Sequence, residues 1–145
     1  MNTSTEEKNE VIAVFDGLIK QPKGVNYNLD SWYKPDPDDK RKKGQWIAYT
    51  HQLKYHSSWD WLMPVVEKIE NIKHIGIDVV YLKIEGNQCQ IWTYFDVKEF
   101  LRLTGDDKNE GNKFKVRYSA KTKIEATYNA VFEFIQWYTS QTKEK

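Results

Sequence analysis

Apolar residues in this chain follow two rhythms, one helical and one alternating, separated by polar stretches. The helical rhythm occurs three times. From about Glu6 to Lys20, Val11, Ile12, Phe15, Leu18 and Ile19 share one face. Ser4 or Thr5 is placed to cap that helix, and Pro22 with Gly24 to end it. A second helix is expected over Ser58–Asn71, with Ser57 or Ser58 as N-cap and Leu62, Val66 and Ile69 at helical spacing. Pro64 removes one backbone donor from it and predicts an irregular first turn. The last helix has the fullest pattern. Thr122 and Glu125 stand at capping-box spacing, and Ile124, Tyr128, Val131, Ile135 and Tyr138 follow as an apolar ladder. Phe134 and Trp137 widen that stripe, while Glu125, Asn129, Glu133 and Gln136 supply a wet face.

The alternating rhythm marks strands. Trp46–Leu53 places Ile47, Tyr49, His51 and Leu53 on one side. From Ile75, the residues Ile77, Val79 and Tyr81 alternate with Asp78, Val80 and Leu82, a strand expected to be covered on both faces. Gly86-Asn87 predicts a tight hairpin, after which Cys89, Ile91, Thr93 and Phe95 oppose Gln88, Gln90, Trp92 and Tyr94. Residues 97–103 read as a short helical turn and Thr104–Asn112 as a polar loop. Lys113–Tyr118 is a further strand, with Phe114, Val116 and Tyr118 facing one way. Between the first helix and the first strand lies a long polar loop at about 21–44, interrupted by Trp32 and Tyr33 as a short strand or an aromatic anchor. This order predicts an α+β fold: an antiparallel sheet of about four to five strands, with helices packed on one face, including a long C-terminal helix. Residues 1–145 make a single globular domain with polar ends at about 1–5 and 141–145.

Composition narrows the class without naming a function. The chain has 145 residues and a formal net charge of +1, so it does not coat nucleic acid or anionic lipid over its whole surface. Six Trp, nine Tyr and six Phe stand against seven Leu, so aromatic rings do much of the filling. No run reaches the roughly 18 apolar residues of a membrane helix, and the polar, acidic N-terminus is not a secretory signal. The lone Cys89 fits a reducing cytoplasm. The charges are segregated. Asp36, Asp38 and Asp39 precede Lys40, Arg41, Lys42 and Lys43, and the stretch Lys113–Lys123 holds five bases and no acid.

Tyr55–Glu70 reads YHSSWDWLMPVVEKIE, Lys123–Tyr138 reads KIEATYNAVFEFIQWY, and Asn9–Leu18 reads NEVIAVFDGL. Together these three helical segments resemble a group of small proteins from phages and prophages of Bacteroidota, with Ser57–Pro64 the most specific part. The chain departs from that group in its long middle and in the Leu101–Asn112 loop. No catalytic residue comes with the resemblance. It implies context: a phage accessory protein in the cytoplasm of an infected or lysogenic bacterial host. Proteins of that class often disarm host defences, at times by sequestering a nucleotide signal.

Motifs for catalysis are missing. His51, His56 and His74 with Cys89 show no zinc spacing, and no metal or cofactor is expected. The seven glycines form no phosphate-cradling loop, and no nucleophile elbow is present. Binding has more support. Lys113, Lys115 and Arg117 share one strand face, and Lys121 stands at the start of the last helix, where exposed amides favour anions. The alternative is a solvated strand face that discourages edge pairing. Trp92 and Tyr94 share another strand face, a stacking platform if no helix covers it. Trp59 and Trp61 point about 160° apart on their helix, so one is expected to meet a loop, a partner subunit or a ligand rather than the core. His56 lines the same corner. The expected site therefore comprises Arg117, Lys115, Lys113, Lys121, Trp59, Trp92, Tyr94 and His56. The expected function is non-enzymatic binding of a small phosphorylated or nucleotide-like ligand, with a homo-oligomer as a further use of exposed rings. The alternatives are an inhibitor module that docks an aromatic surface on a host protein, or a weak nucleic-acid binder.

Overall fold

The structure, a computed structural model, describes residues 4–21, 29–35, 44–72, 79–94 and 114–143. Helix α1 spans Thr5–Phe15, and the Ser4 hydroxyl accepts from the Glu7 N–H at 3.2 Å to cap it. It stops well before Lys20. Gly17 takes φ +93°, and the Leu18 and Gly17 N–H groups turn back onto Ala13 and Val14 carbonyls at 3.0 and 3.1 Å, closing the helix end. Leu18 and Ile19 thus leave the helical face, and Ile19 opens strand β1, Ile19–Gln21.

Strand β1 pairs antiparallel with β2, Ser31–Lys34, which pairs antiparallel with β3, Gln45–Tyr49. The strand expected over Trp46–Leu53 therefore ends at Tyr49, and Thr50–Gln52 form one 3-10 turn. Gly44, just before β3, takes φ +76°, and a Cβ there would lie 2.1 Å from the Lys34 carbonyl oxygen, so only glycine fits. Trp32 anchors the sheet inward at 1% exposure. Its indole N–H donates to the Thr50 hydroxyl at 3.0 Å, which donates to the Glu10 carboxylate on α1 at 3.3 Å.

Helix α2 spans Trp59–Glu70 and runs through Pro64 without interruption. Ser58 stands at its N-cap position, but its side chain makes no capping hydrogen bond, so the expected serine cap is corrected to a backbone one. Its buried residues are Leu62, Val65, Val66 and Ile69. Strands β4 (Val79–Glu85), β5 (Gln88–Tyr94) and β6 (Lys115–Ser119) form a second antiparallel sheet in that order. The architecture is thus α+β, but with two three-stranded antiparallel sheets in place of the single sheet of four to five strands expected from the sequence. The helical turn expected over residues 97–103 and the polar loop expected over Thr104–Asn112 lie outside the described residues.

Helix α3, Lys123–Lys143, lies between these parts. Thr122 caps it, its hydroxyl accepting from the Glu125 N–H at 3.2 Å. On one side Tyr128 donates to the Thr5 carbonyl, and the Lys8 ammonium sits over the Phe132 ring at 5.4 Å. Half a turn round, Phe134 meets Phe114, next to β6, edge-on at 5.4 Å between centroids, and Trp137 stacks on it at 5.0 Å. Ala126, Thr127, Ala130, Val131, Phe134 and Ile135 are all fully buried. The wet face is the narrow arc of Glu125, Asn129, Glu133 and Gln136. Among the described residues no helix is long and apolar enough to cross a membrane.

This packing predicts two opposite costs. Phe134→Ala should lose about 3–5 kcal/mol of stability by opening a cavity, and Ala130→Leu about 1–3 kcal/mol by overfilling the helix–sheet contact. Urea unfolding monitored by circular dichroism reads both, and an unchanged midpoint for either would remove α3 from the core.

Candidate functional site

The second sheet has two unlike faces, because side chains alternate along each strand. Inward, Val80, Cys89, Ile91 and Thr93 are buried, with Leu82, Ile84, Val116 and Tyr118 packed beside them. Outward, the register lines up three rows. Tyr81 stands opposite Trp92, and Trp92 opposite Lys115. Lys83, Gln90 and Arg117 form the next row, and Glu85, Gln88 and Ser119 the third. Tyr81 is 45% exposed, and its ring stacks on Trp92 at 5.3 Å and 21°. The strand expected to be covered on both faces is therefore open on one. Arg117 donates to the Gln88 side-chain carbonyl at 2.8 Å, which orients its guanidinium along the face. Lys83 pairs with Glu85 at 3.1 Å, both largely exposed.

Of the residues singled out in the sequence, Arg117, Lys115 and Trp92 come together on this face. Tyr94 is the last residue of β5 and is opposite Val79 in register. Lys113 lies outside the described residues. Lys121 is exposed just beyond β6, and its carbonyl accepts from the Asn87 side chain at 3.1 Å, which ties the start of α3 to the β4–β5 turn. The rest of the expected set is elsewhere. His56 sits at the corner before α2, its Nδ1 3.0 Å from the Asn9 amide nitrogen and its ring 6.1 Å from Tyr128. That amide also donates to the Leu53 carbonyl at 3.1 Å, which ties the corner before α2 to α1. Trp59 and Trp61 are both partly buried against the core. They flank the buried arc of α2, one on each side, so a separation of about 160° lets both reach it. The expectation that one of them turns away from the core is corrected.

A second concave feature escaped the sequence reading. Asp16, Leu18, Lys34, Ile47, Tyr55, Asp60, Trp61 and Pro64 line a pocket of about 310 Å³. Tyr55, itself fully buried, donates to Asp16 Oδ2 at 2.8 Å and meets Trp61 edge-on at 5.3 Å. Burial pushes the Asp16 carboxyl above its usual range, against the Tyr55 hydrogen bond and the nearby Lys68 and Lys34 charges. Burial, then the Asp16 charge, pushes the Tyr55 hydroxyl far up in turn. These residues come from α1, both neighbouring strands and α2, and no local spacing announces them.

Two other titratable groups face inward. The Tyr118 hydroxyl donates to the Glu133 carboxylate, and that bond, with burial, pushes it up to about 12. Burial pushes the Cys89 thiol up to about 11, partly offset by a hydrogen bond with Thr127. Among the described residues no three His, Cys, Asp or Glu side chains gather as metal ligands. Comparisons of the chain with protein-family models, with curated proteins and with solved structures return no match.

The Cys89 environment has a pH consequence. Folding raises the thiol from an ordinary value of 9.0 to about 11. The stabilisation from keeping it neutral is therefore complete below pH 9.0 and is lost as pH rises through about 11. At pH 8 an aromatic disulfide reagent should label native protein slowly and urea-unfolded protein promptly. Equal rates would put the thiol at the surface.

Proposed function

We propose that the outer face of the β4–β5–β6 sheet binds a small nucleotide-like ligand, with its base against the Tyr81–Trp92 pair and its phosphate on Lys115 and Arg117. The observation that carries this reading is the register. An aromatic row, Tyr81–Trp92–Lys115, lies directly beside a polar and cationic row, Lys83–Gln90–Arg117, on a face with an exposed ring. Successive residues on one face of a strand are about 7 Å apart, so ring and guanidinium lie within reach of one ligand. Stacking of a base on an aromatic side chain supplies about 1–3 kcal/mol. Arg117 is the planar fork suited to phosphate, and the Gln88 bond holds it in place. The Gln90 amide offers both a donor and an acceptor to a base edge.

The reading is of binding: rings, amides and cations make up the two rows that it uses. In the setting that the sequence resemblance implies, its use is sequestration of a nucleotide signal in the cytoplasm of a phage-infected bacterium. A second reading, docking on a host protein, draws on the first sheet. There Ile19, Tyr33 and Trp46 stand in one register row, with Ile19 54% and Trp46 46% exposed.

A panel of cyclic and linear nucleotides tests the first reading by thermal shift. A ligand at a hundred times its Kd should add about 2.7 kcal/mol, and Trp92→Ala should weaken binding about five- to hundredfold. Arg117→Gln should reduce the salt dependence of binding as well as its strength. A melting temperature unmoved by every nucleotide would sink the reading.

A further inference from the structure

We propose that the pocket between the end of α1 and the start of α2 is a separate binding site for a small organic cation, carrying its ammonium or guanidinium group on a short apolar body. The site shares no residue with the sheet face and does not depend on the nucleotide reading. Its volume of about 310 Å³ suits a ligand of a few carbons and falls at the small end of ligand pockets.

The polar groups around it are mostly acceptors. Asp16 gives Oδ2 to Tyr55, and its second oxygen has no hydrogen-bond donor among the described residues. Asp60, in the first turn of α2, is exposed and makes no hydrogen bond or ion pair among them. Pro64 lies four residues after Asp60 and has no N–H, so the Asp60 carbonyl loses its ordinary helical donor. Asp16 also caps the C-terminal end of α1, where the backbone carbonyls make the potential negative and a cation is favoured. The one cation in the lining is Lys34. Lys68 lies near as well and acts on the Asp16 charge more strongly than Lys34 does, while its ammonium is held by the Phe15 carbonyl and ring.

The walls complete the argument. The Trp61 indole attracts a cation over its ring plane. Leu18, Ile47 and Pro64 offer apolar surface for an alkyl stem. A guanidinium or ammonium seated between Asp16 and Asp60 would thus be hydrogen-bonded on one side and stacked on the other. It would also stabilise the ionised Asp16 that burial opposes, so binding should release a proton at a pH where Asp16 is partly protonated.

Agmatine and putrescine are the cationic probes, and 1-pentanol at the same concentration is the neutral control, each at fixed ionic strength. The expected result is a saturable change in Trp61 fluorescence and in its indole N–H resonance with agmatine or putrescine but not with pentanol. Asp60→Asn, an exposed substitution that leaves the fold intact, should weaken that binding about tenfold or more. Trp61→Leu should abolish the fluorescence response, and Trp92→Ala on the sheet face should leave the titration unchanged, which separates this site from the nucleotide reading. The inference is overturned if neither cation moves the Trp61 signals, if pentanol binds as well as they do, or if Asp60→Asn binds them like the unaltered chain.

Discussion

The need to cover α3 organises the structure. A surface helix hides one stripe, but this one is buried over most of its circumference through its middle turns, where Glu125, Asn129, Glu133 and Gln136 form the arc that reaches solvent. Its two covered sides are built differently. Toward α1 it offers Tyr128 and Phe132, bulky rings that also reach a carbonyl and a lysine. Round the other side it offers Ala126, Thr127 and Ala130, and small residues allow close approach of a sheet. Cys89 and Ile91 of β5 fill that side at 0% exposure. One consequence reaches the surface. With α3 holding the inner face of the second sheet, the alternation of its strands sends Tyr81, Lys83, Gln90, Trp92, Lys115 and Arg117 outward together.

The parts of the fold that could be read from sequence are those set by local rules. The Gly86-Asn87 hairpin, the period of β5 and β6, and the Thr122 cap with its ladder each depend on neighbours within a few residues. The first sheet could not be read in that way. Its strands have three to five residues, too few for a period to show, and a bulge between Trp32 and Tyr33 shifts the register. Helix α1 misled for a related reason. Leu18 and Ile19 continue its apolar spacing, yet Gly17 in the left-handed region had already ended it. Spacing records which residues are apolar, whereas a helix ends where its backbone carbonyls find other donors.

The candidate sites divide along the same line. Lys115, Arg117 and Trp92 could be placed on their strands by alternation, but which face α3 would cover was a tertiary matter. Tyr81 was for that reason assigned to a covered strand, and its ring completes the aromatic row. His56 drew notice as a histidine beside a helix start, and the structure engages it with a buried asparagine. The Asp16–Tyr55–Asp60 pocket is the opposite case: each residue looks ordinary in sequence, and only the fold sets both carboxylates around one pocket.

The near-neutral charge of the chain takes on a different meaning in this light. A net charge of +1 is compatible with evenly mixed charges, which would favour neither anions nor cations. Here the signs are sorted by location. Lys83, Lys115 and Arg117 face one way with Glu85 against them, while Asp16 and Asp60 share a pocket with Lys34 and have Lys68 close by. Exposed charges are screened beyond a Debye length of about 8 Å at physiological salt, so each location acts by its local balance and the net charge carries little weight. An anionic, aromatic ligand and a small cation would then choose different faces of the same molecule, and raising salt should weaken the open sheet face before the half-enclosed pocket.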